Sequence, residues 1–290
     1  MKPGRASRTA CQNALFRALA ARQGVDRRVA DDQLAVRFLP LEYRVLAELA
    51  RVPALRTAIE AFIDHRWPCV RGGVVARTRL LDDTISEDLS SVSQTLILGA
   101  GFDTRPYRLP EMATVQVFEV DHPDTQAPKK RVVARLNGAL PRHVHYVPVV
   151  FGTDDPADAL AHSGFVRGAP SLVLWEGVTN YLDAESVDGT FRFLADVVAS
   201  GSPVLFTYVD RGMLDGSASF VGAATTLQAV QRLGEPFTFG FAPAELTSYL
   251  AERGFESCWD MPVSEIGSRY YTGRLPSLPA YYHVVKSVKR

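Results

Sequence analysis

The sequence predicts a doubly wound α/β fold: a mostly parallel sheet with helices on both faces, behind an N-terminal helical cap. Three observations carry this. After Ser93, short apolar runs alternate with helical patterns, as parallel strands joined by crossover helices do. The first run stops on Gly99 and Gly101, with an acid, two arginines and a tyrosine close behind in "LILGAGFDTRPYRL". The preceding residues are rich in alanine, leucine and arginine and lack strand-like alternation, which reads as helical. Residues 1–92 are therefore expected to form a helical cap and residues 93–290 the binding core.

In the cap, "CQNALFRALAARQ" sets Ala14, Leu15, Ala18 and Leu19 on one helical face. "PLEYRVLAELARVPALRTAIEAFIDHRW" gives two helices broken at Pro53, and "VVARTRLLDDTISEDL" one more. In the core, the expected strands are 95–100, 115–121, 143–151, 171–177 and 203–210, with "LPAYYHVVKSV" closing the sheet. Helices are expected at 124–137, 184–199 and 243–255. In the second of these, Val187, Phe191, Leu194 and Val198 recur at three- and four-residue steps and so face the sheet.

Composition narrows the function classes. Thirty-two basic residues balance thirty-two acidic ones, which argues against a nucleic-acid or membrane-surface partner. No apolar run approaches the ~20 residues of a membrane helix, and the N-terminus does not read as a secretory signal. Cys11, Cys69 and Cys258 are far apart and form no CxxC. Disulfides and cysteine-rich zinc sites are not expected, and the compartment expected is the reducing cytoplasm. The six histidines lack metal-ligand spacing, so no metal is expected.

In such a sheet, ligands bind beyond the carboxyl ends of the strands where strand order reverses. Gly99 and Gly101 stand at that point, where glycine permits positive φ and close approach of a ligand to the backbone. Twenty positions after Gly101, Asp121 ends the second strand, the spacing of an acid that holds a ribose diol. The alternation in "VFEVD" turns Phe118 and Val120 to one face, and Glu119 and Asp121 to the other, toward the ligand. A dinucleotide fingerprint needs a third glycine where Thr104 stands, to bring a helix N-terminus onto the pyrophosphate. Asp103 beside the turn repels a diphosphate but suits an ammonium group. A ligand with a ribose and a cationic end fits, and S-adenosylmethionine is such a ligand. A dinucleotide-dependent oxidoreductase shares the sheet and the ribose acid and stays open at this point.

"LGAGFDTRPYRL", "VFEVDHPDTQAPKKRVV" and "LWEGVTNYL", in that order, resemble the leucine carboxyl methyltransferase family. The likeness is to its bacterial branch acting on small molecules, often polyketide-type products. "VVARTRLLDD" and "LGEPFTFGFAPAELTSYLAERGF" match as well, so the resemblance runs from about Ser7 to the closing strand. It implies a Rossmann-like methyltransferase sheet of seven strands, a C-terminal antiparallel hairpin and a cap over the substrate. It also implies that Arg77 binds the methionyl carboxylate of S-adenosylmethionine, that Gly99 lies against the methionyl portion and that Asp121 holds the ribose. By the same resemblance Glu176 lies beside the cofactor's amino-acid end and Tyr181 borders the acceptor. A guanidinium fork does match a carboxylate. One departure stands out: where the family carries an acid after the third strand, to meet the adenine, this chain has Val150, with Asp154 or Asp155 as candidate substitutes.

Arg269 and Tyr270 are further acceptor-lining candidates, beside Tyr271. Tyr107 and Arg108 suit either the site or the packing of the first core helix, and Trp175 reads as core. Asp210 and Arg211 fall near the pocket by fold alone. The resulting expectation is an S-adenosylmethionine-dependent O-methyltransferase acting on a small-molecule carboxylate. Such an acceptor is already ionised at neutral pH, so no acid–base residue is expected. Alternatives are a hydroxyl or phenol acceptor and a non-catalytic cofactor-binding descendant. The expected partners are the small-molecule acid and, as a homodimer, a second copy of the chain.

Overall fold

A computed structural model describes residues 8–150, 154–271 and 276–290. Seven strands form one sheet: β1 (Gln94–Leu98), β2 (Gln116–Asp121), β3 (Val144–Pro148), β4 (Ser171–Trp175), β5 (Pro203–Val209), β6 (Phe255–Pro262) and β7 (Tyr282–Lys289). Their order is β3-β2-β1-β4-β5-β7-β6. β1 to β5 run parallel to one another, and β7 runs antiparallel to both β5 and β6. The chain leaves β1 in one direction for β2 and β3 and returns for β4 and β5 on the other side. The reversal therefore lies between β1 and β4, where such folds bind ligands.

The helices before the sheet are α1 (Arg8–Ala20), α2 (Leu41–Leu49), α3 (Pro53–Arg66) and α4 (Val70–Asp88). Those within it are α5 (Arg105–Arg108), α6 (Pro123–Asn137), α7 (Pro156–Ala161), α8 (Ala184–Val197), α9 (Arg211–Asp215), α10 (Ala223–Leu233), α11 (Pro243–Glu252) and α12 (Val263–Tyr270). Pro53 does more than break a helix: it occupies the first turn of α3, where its missing N–H is not needed.

Period-two alternation sorts the strand residues into two cores. Leu96, Leu98, Phe118, Val120, Val173, Trp175 and Phe206 pack against Phe191 and Leu194 of α8 and Leu246 and Leu250 of α11. Ile97, Val117, Leu172, Leu174 and Leu205 pack on the other face, against Leu80, Leu81 and Ile85 of α4 and Ile266 of α12. The expected α8 stripe and the core position of Trp175 are both as read. α4 thus forms part of a layer on the sheet. α1 sits over the strand ends, where Arg17 Nη2 donates to the Phe102 carbonyl at 2.7 Å and its Nε pairs with Asp32 at 2.8 Å.

Several boundaries differ from the expectation. β1 ends at Leu98 rather than at residue 100, because the backbone turns at Gly99 with φ +64°. Phe255 opens β6 rather than closing a helix. Arg269 and Tyr270 end α12, a helix absent from the sequence reading. Position 151 of the expected third strand lies outside the described residues. Among the described residues no helix is long and apolar enough to cross a membrane.

Candidate active site

Three strand ends meet at the reversal point. Past β1, Gly99 and Gly101 both take positive φ. A methyl group on Gly99 would strike Val178 Cγ2, so the packing requires glycine there as well as the turn does. Past β2, Asp121 receives backbone N–H groups on both oxygens, Gly101 N on Oδ2 and His122 N on Oδ1 at 2.6 Å. Burial pushes its carboxyl up, and those two hydrogen bonds only partly oppose this. Each carboxylate oxygen can accept a second hydrogen bond, so Asp121 can still hold a diol.

Past β4, Glu176 is gripped from two sides. Arg77 Nε donates to Oε1 at 2.7 Å and Arg105 Nη1 to Oε2 at 2.9 Å. Burial raises its carboxyl, but the two guanidinium groups outweigh burial and hold it down at about 2. Glu176 is therefore a fixed negative charge at neutral pH. Arg77 comes from α4, stacks over the Tyr282 ring at 4.7 Å, and uses neither terminal nitrogen in a hydrogen bond to another described residue. A guanidinium edge remains for an incoming carboxylate.

Arg105 anchors the rest of the network. It reaches Asp82 through Nε and Asp103 through Nη1, both at 2.7 Å, and Arg108 shares Asp82 at 2.7 Å. This alters the expectation for Asp103 and leaves Arg108 with the packing role, one of the two it was given. Asp103, assigned to a ligand ammonium, gives Oδ2 to Arg105 Nη1 and Oδ1 to the Arg105 backbone N–H at 2.8 Å. An aspartate two residues before an arginine at a turn folds back onto it. Arg108 serves packing of its own helix through Thr104 and Asp82. Arg105 and Asp82 escaped the sequence reading: Arg105 stands in the quoted motif, but nothing local says that it meets Glu176, 71 positions on.

Glu119 does not reach the ligand side. It is fully buried against Lys129, 2.9 Å away, and the Tyr107 hydroxyl, 2.8 Å away. Lys129 also donates to the Ala100 carbonyl at 3.3 Å, so this buried pair supports the glycine turn from below. The Val150 backbone N–H donates to Asp154 Oδ2 at 2.8 Å, and Asp155 caps α7; residues 151–153 lie outside the described part.

Beside Arg77 lies a cavity of about 80 Å³, several times the ~10–15 Å³ that one water needs. Phe16 of α1, Val70 and Val74 of α4, and Val230 and Leu233 of α10 wall it, with Phe237 and Tyr281. Arg77, Asn180, Tyr181 and Tyr282 give it polar groups, with Thr9, Gln12 and Asn13 of α1 and Thr226 of α10. Tyr181 thus borders the cavity, and burial raises its hydroxyl pKa. Arg269 is exposed and Tyr270 lies under the Arg79 guanidinium; neither lines the cavity. Asp210 caps α9 and Arg211 pairs with Glu245, also away from it.

A strand order of this kind, a glycine turn after β1 and an acid ending β2 define a Rossmann-like methyltransferase fold. The residues suit S-adenosylmethionine: Asp121 for a ribose diol, the Arg77 edge for a carboxylate, and the ionised Glu176 for a cationic centre. Comparison with known proteins goes further. Residues 10–195 match the family described as Leucine carboxyl methyltransferase, and the chain belongs to that family. A relative in Bacillus subtilis (strain 168), named "Putative S-adenosyl-L-methionine-dependent methyltransferase YktD", is 29% identical over 71% of this chain and 68% of its own length. One in Mycobacterium sp. (strain KMS), named "Putative S-adenosyl-L-methionine-dependent methyltransferase", is 34% identical over 64% of this chain and 62% of its own. The match to the mycobacterial relative therefore spans under two thirds of that protein. Among solved structures, a protein titled a putative methyltransferase from Thermobifida fusca shares the fold at a TM-score of 0.59. It is 14% identical, covering 100% of this chain and 97% of its own. A duf574 family protein from Streptomyces avermitilis also reaches 0.59, at 15% identity over 82% of this chain and 91% of its own.

Proposed function

We propose that the chain transfers a methyl group from S-adenosylmethionine to a carboxylate of a small molecule held in the cavity, giving a methyl ester. When bound, the cofactor supplies an electrophilic methyl group on sulfonium. Asp121 holds the ribose, the Arg77 edge takes the amino-acid carboxylate and Glu176 faces the cationic end. The apolar walls exclude water and fix the acceptor, and orientation of this kind contributes ~7–11 kcal/mol in well-arranged systems.

The observation that carries the acceptor class is the chemistry of the lining. Among the described residues lining the cavity there is no histidine, aspartate, glutamate or lysine. Arg77 stays protonated, because its pKa, lowered by burial, is raised further by Tyr282 and Glu176. Burial likewise keeps the Tyr181 hydroxyl protonated, so it cannot serve as a base at neutral pH. A phenol or alcohol needs a positioned base, whereas a carboxylate arrives ionised.

The test is transfer of a labelled methyl group into a panel of small acids and phenols. Mild alkali should release the label as methanol, and kcat/KM should show no rising limb between about pH 6 and 9. An alkali-stable product whose rate climbs steadily with pH would mean a hydroxyl acceptor.

A further inference from the structure

α2 and α3 of the cap are apolar on both sides. Facing inward, Ala47, Ala50 and Ile63 join one cluster with Leu15 and Leu19 of α1. Facing outward, Leu41, Val45 and Leu49 recur at four-residue steps along α2, and Val52 follows in the turn to α3. Leu55 and Phe62 continue the exposed stripe on α3, with the exposed Ala58 between them. Helices of this length take most of their stability from packing, yet α2 buries only Ala47 and α3 only Ile63. A helix apolar all round is one that is covered all round.

Size and charge point to what covers this face. Leu41 is 72% and Phe62 67% exposed, and the other four large side chains between 43% and 51%. Together they present roughly 600 Å² of apolar surface, the upper end of what a monomer shows. With a polar rim this approaches the ~800 Å² that each partner contributes to a standard interface. Between residues 41 and 66, four arginines stand against four carboxylates. Copies of a single-sign face repel one another, whereas a balanced face can set its arginines against the acids of an identical one. The same balance argues against an anionic lipid surface, which selects helices with a basic polar face.

We propose that α2 and α3 form a homodimer interface, packing on the same two helices of a second copy about a two-fold axis. A two-fold interface joins one patch to itself, so it needs a face whose charges complement their own image. The exposed apolar side chains then become its buried centre, with Phe62 as the aromatic anchor.

Sedimentation equilibrium of the full chain at micromolar concentrations should give twice the 31.8 kDa chain mass. Val45→Glu and Phe62→Glu each set a charge on the face and should weaken the dimer about thirtyfold or more. Both positions are exposed in the single chain, so each variant should keep the circular dichroism and S-adenosylhomocysteine binding of the wild type. Amide hydrogen exchange should slow in α2 and α3 as the concentration rises through the dimer Kd, and stay unchanged in α8. A monomer at every concentration, a dimer that both glutamate variants leave intact, or protection that grows elsewhere and not in α2 and α3 overturns the proposal. So does a monomeric chain that co-sediments with phosphatidylcholine–phosphatidylglycerol vesicles and loses this in Phe62→Glu, which would make the face a lipid-binding one.

Discussion

Replacing Glu176 by glutamine removes one charge and almost no volume from the centre of the site. The carboxylate is 14% exposed and pairs with Arg77 and Arg105 at 2.7 and 2.9 Å. Folding holds its carboxyl at about 2 against an ordinary 4.5, which corresponds to about 3 kcal/mol of stability at neutral pH. Glutamine offers one oxygen to one arginine and turns an N–H₂ toward the other, leaving a buried guanidinium poorly matched. For a chain of this size the loss should lower Tm by about 5 °C. The sign of the pH dependence follows from the depressed value. The contribution is complete above the unfolded pKa and fades as pH falls through about 2, so the gap between wild type and variant should be flat from about pH 7 to 5 and narrow by roughly a quarter at pH 4. Urea unfolding followed by circular dichroism at these pH values measures it. An unchanged Tm at neutral pH, or a gap that widens on acidification, would refute the claim that the two arginines hold Glu176 ionised.

Four further outcomes are expected. S-adenosylhomocysteine should raise Tm and NAD(H) should not, by about 2.7 kcal/mol of added stability at a hundredfold excess over Kd; the opposite pattern in a thermal-shift assay would remove the methyltransferase reading. Asp121→Ala should weaken S-adenosylhomocysteine binding about ten- to a hundredfold by calorimetry, as charge-assisted hydrogen bonds are lost. Gly99→Ala should destabilise the fold and cut cofactor affinity, because its φ of +64° and Val178 both exclude a methyl group; Gly138→Ala, at φ +75° with nothing within 4 Å, should cost only ~1–2 kcal/mol and leave binding intact. Lys129→Met should cost about 3–5 kcal/mol by stranding the buried Glu119, and adding Glu119→Leu should recover much of that loss, as a double-mutant cycle in urea would show.

What the sequence alone determined is whatever short-range rules govern. Short apolar runs placed β1 to β5, because the run of buried residues that a central parallel strand requires is visible within a few positions. The glycine turn and Asp121 were legible for the same reason, since a strand end, a positive-φ turn and the following strand lie within about one βαβ unit. β6 was implied only through the hairpin that the resemblance carries, because it is partly buried with no strong apolar period, and α12, eight residues long, went unread. Glu119 shows the limit of the strand rule. Alternation correctly set it on one face with Asp121, but only the packing of α5 and α6 decided that Lys129 and Tyr107 would enclose it. The same holds for the charge network. Arg77 meets Glu176 across 99 positions, and Arg105 joins Asp82, Asp103 and Glu176 from three segments. Sequence fixes which groups a strand end or turn offers, because bonds and dihedrals are local. Which charges neutralise one another, and which polar atom is left for a ligand, depends on distances between segments that exist only once the sheet has brought its strand ends together.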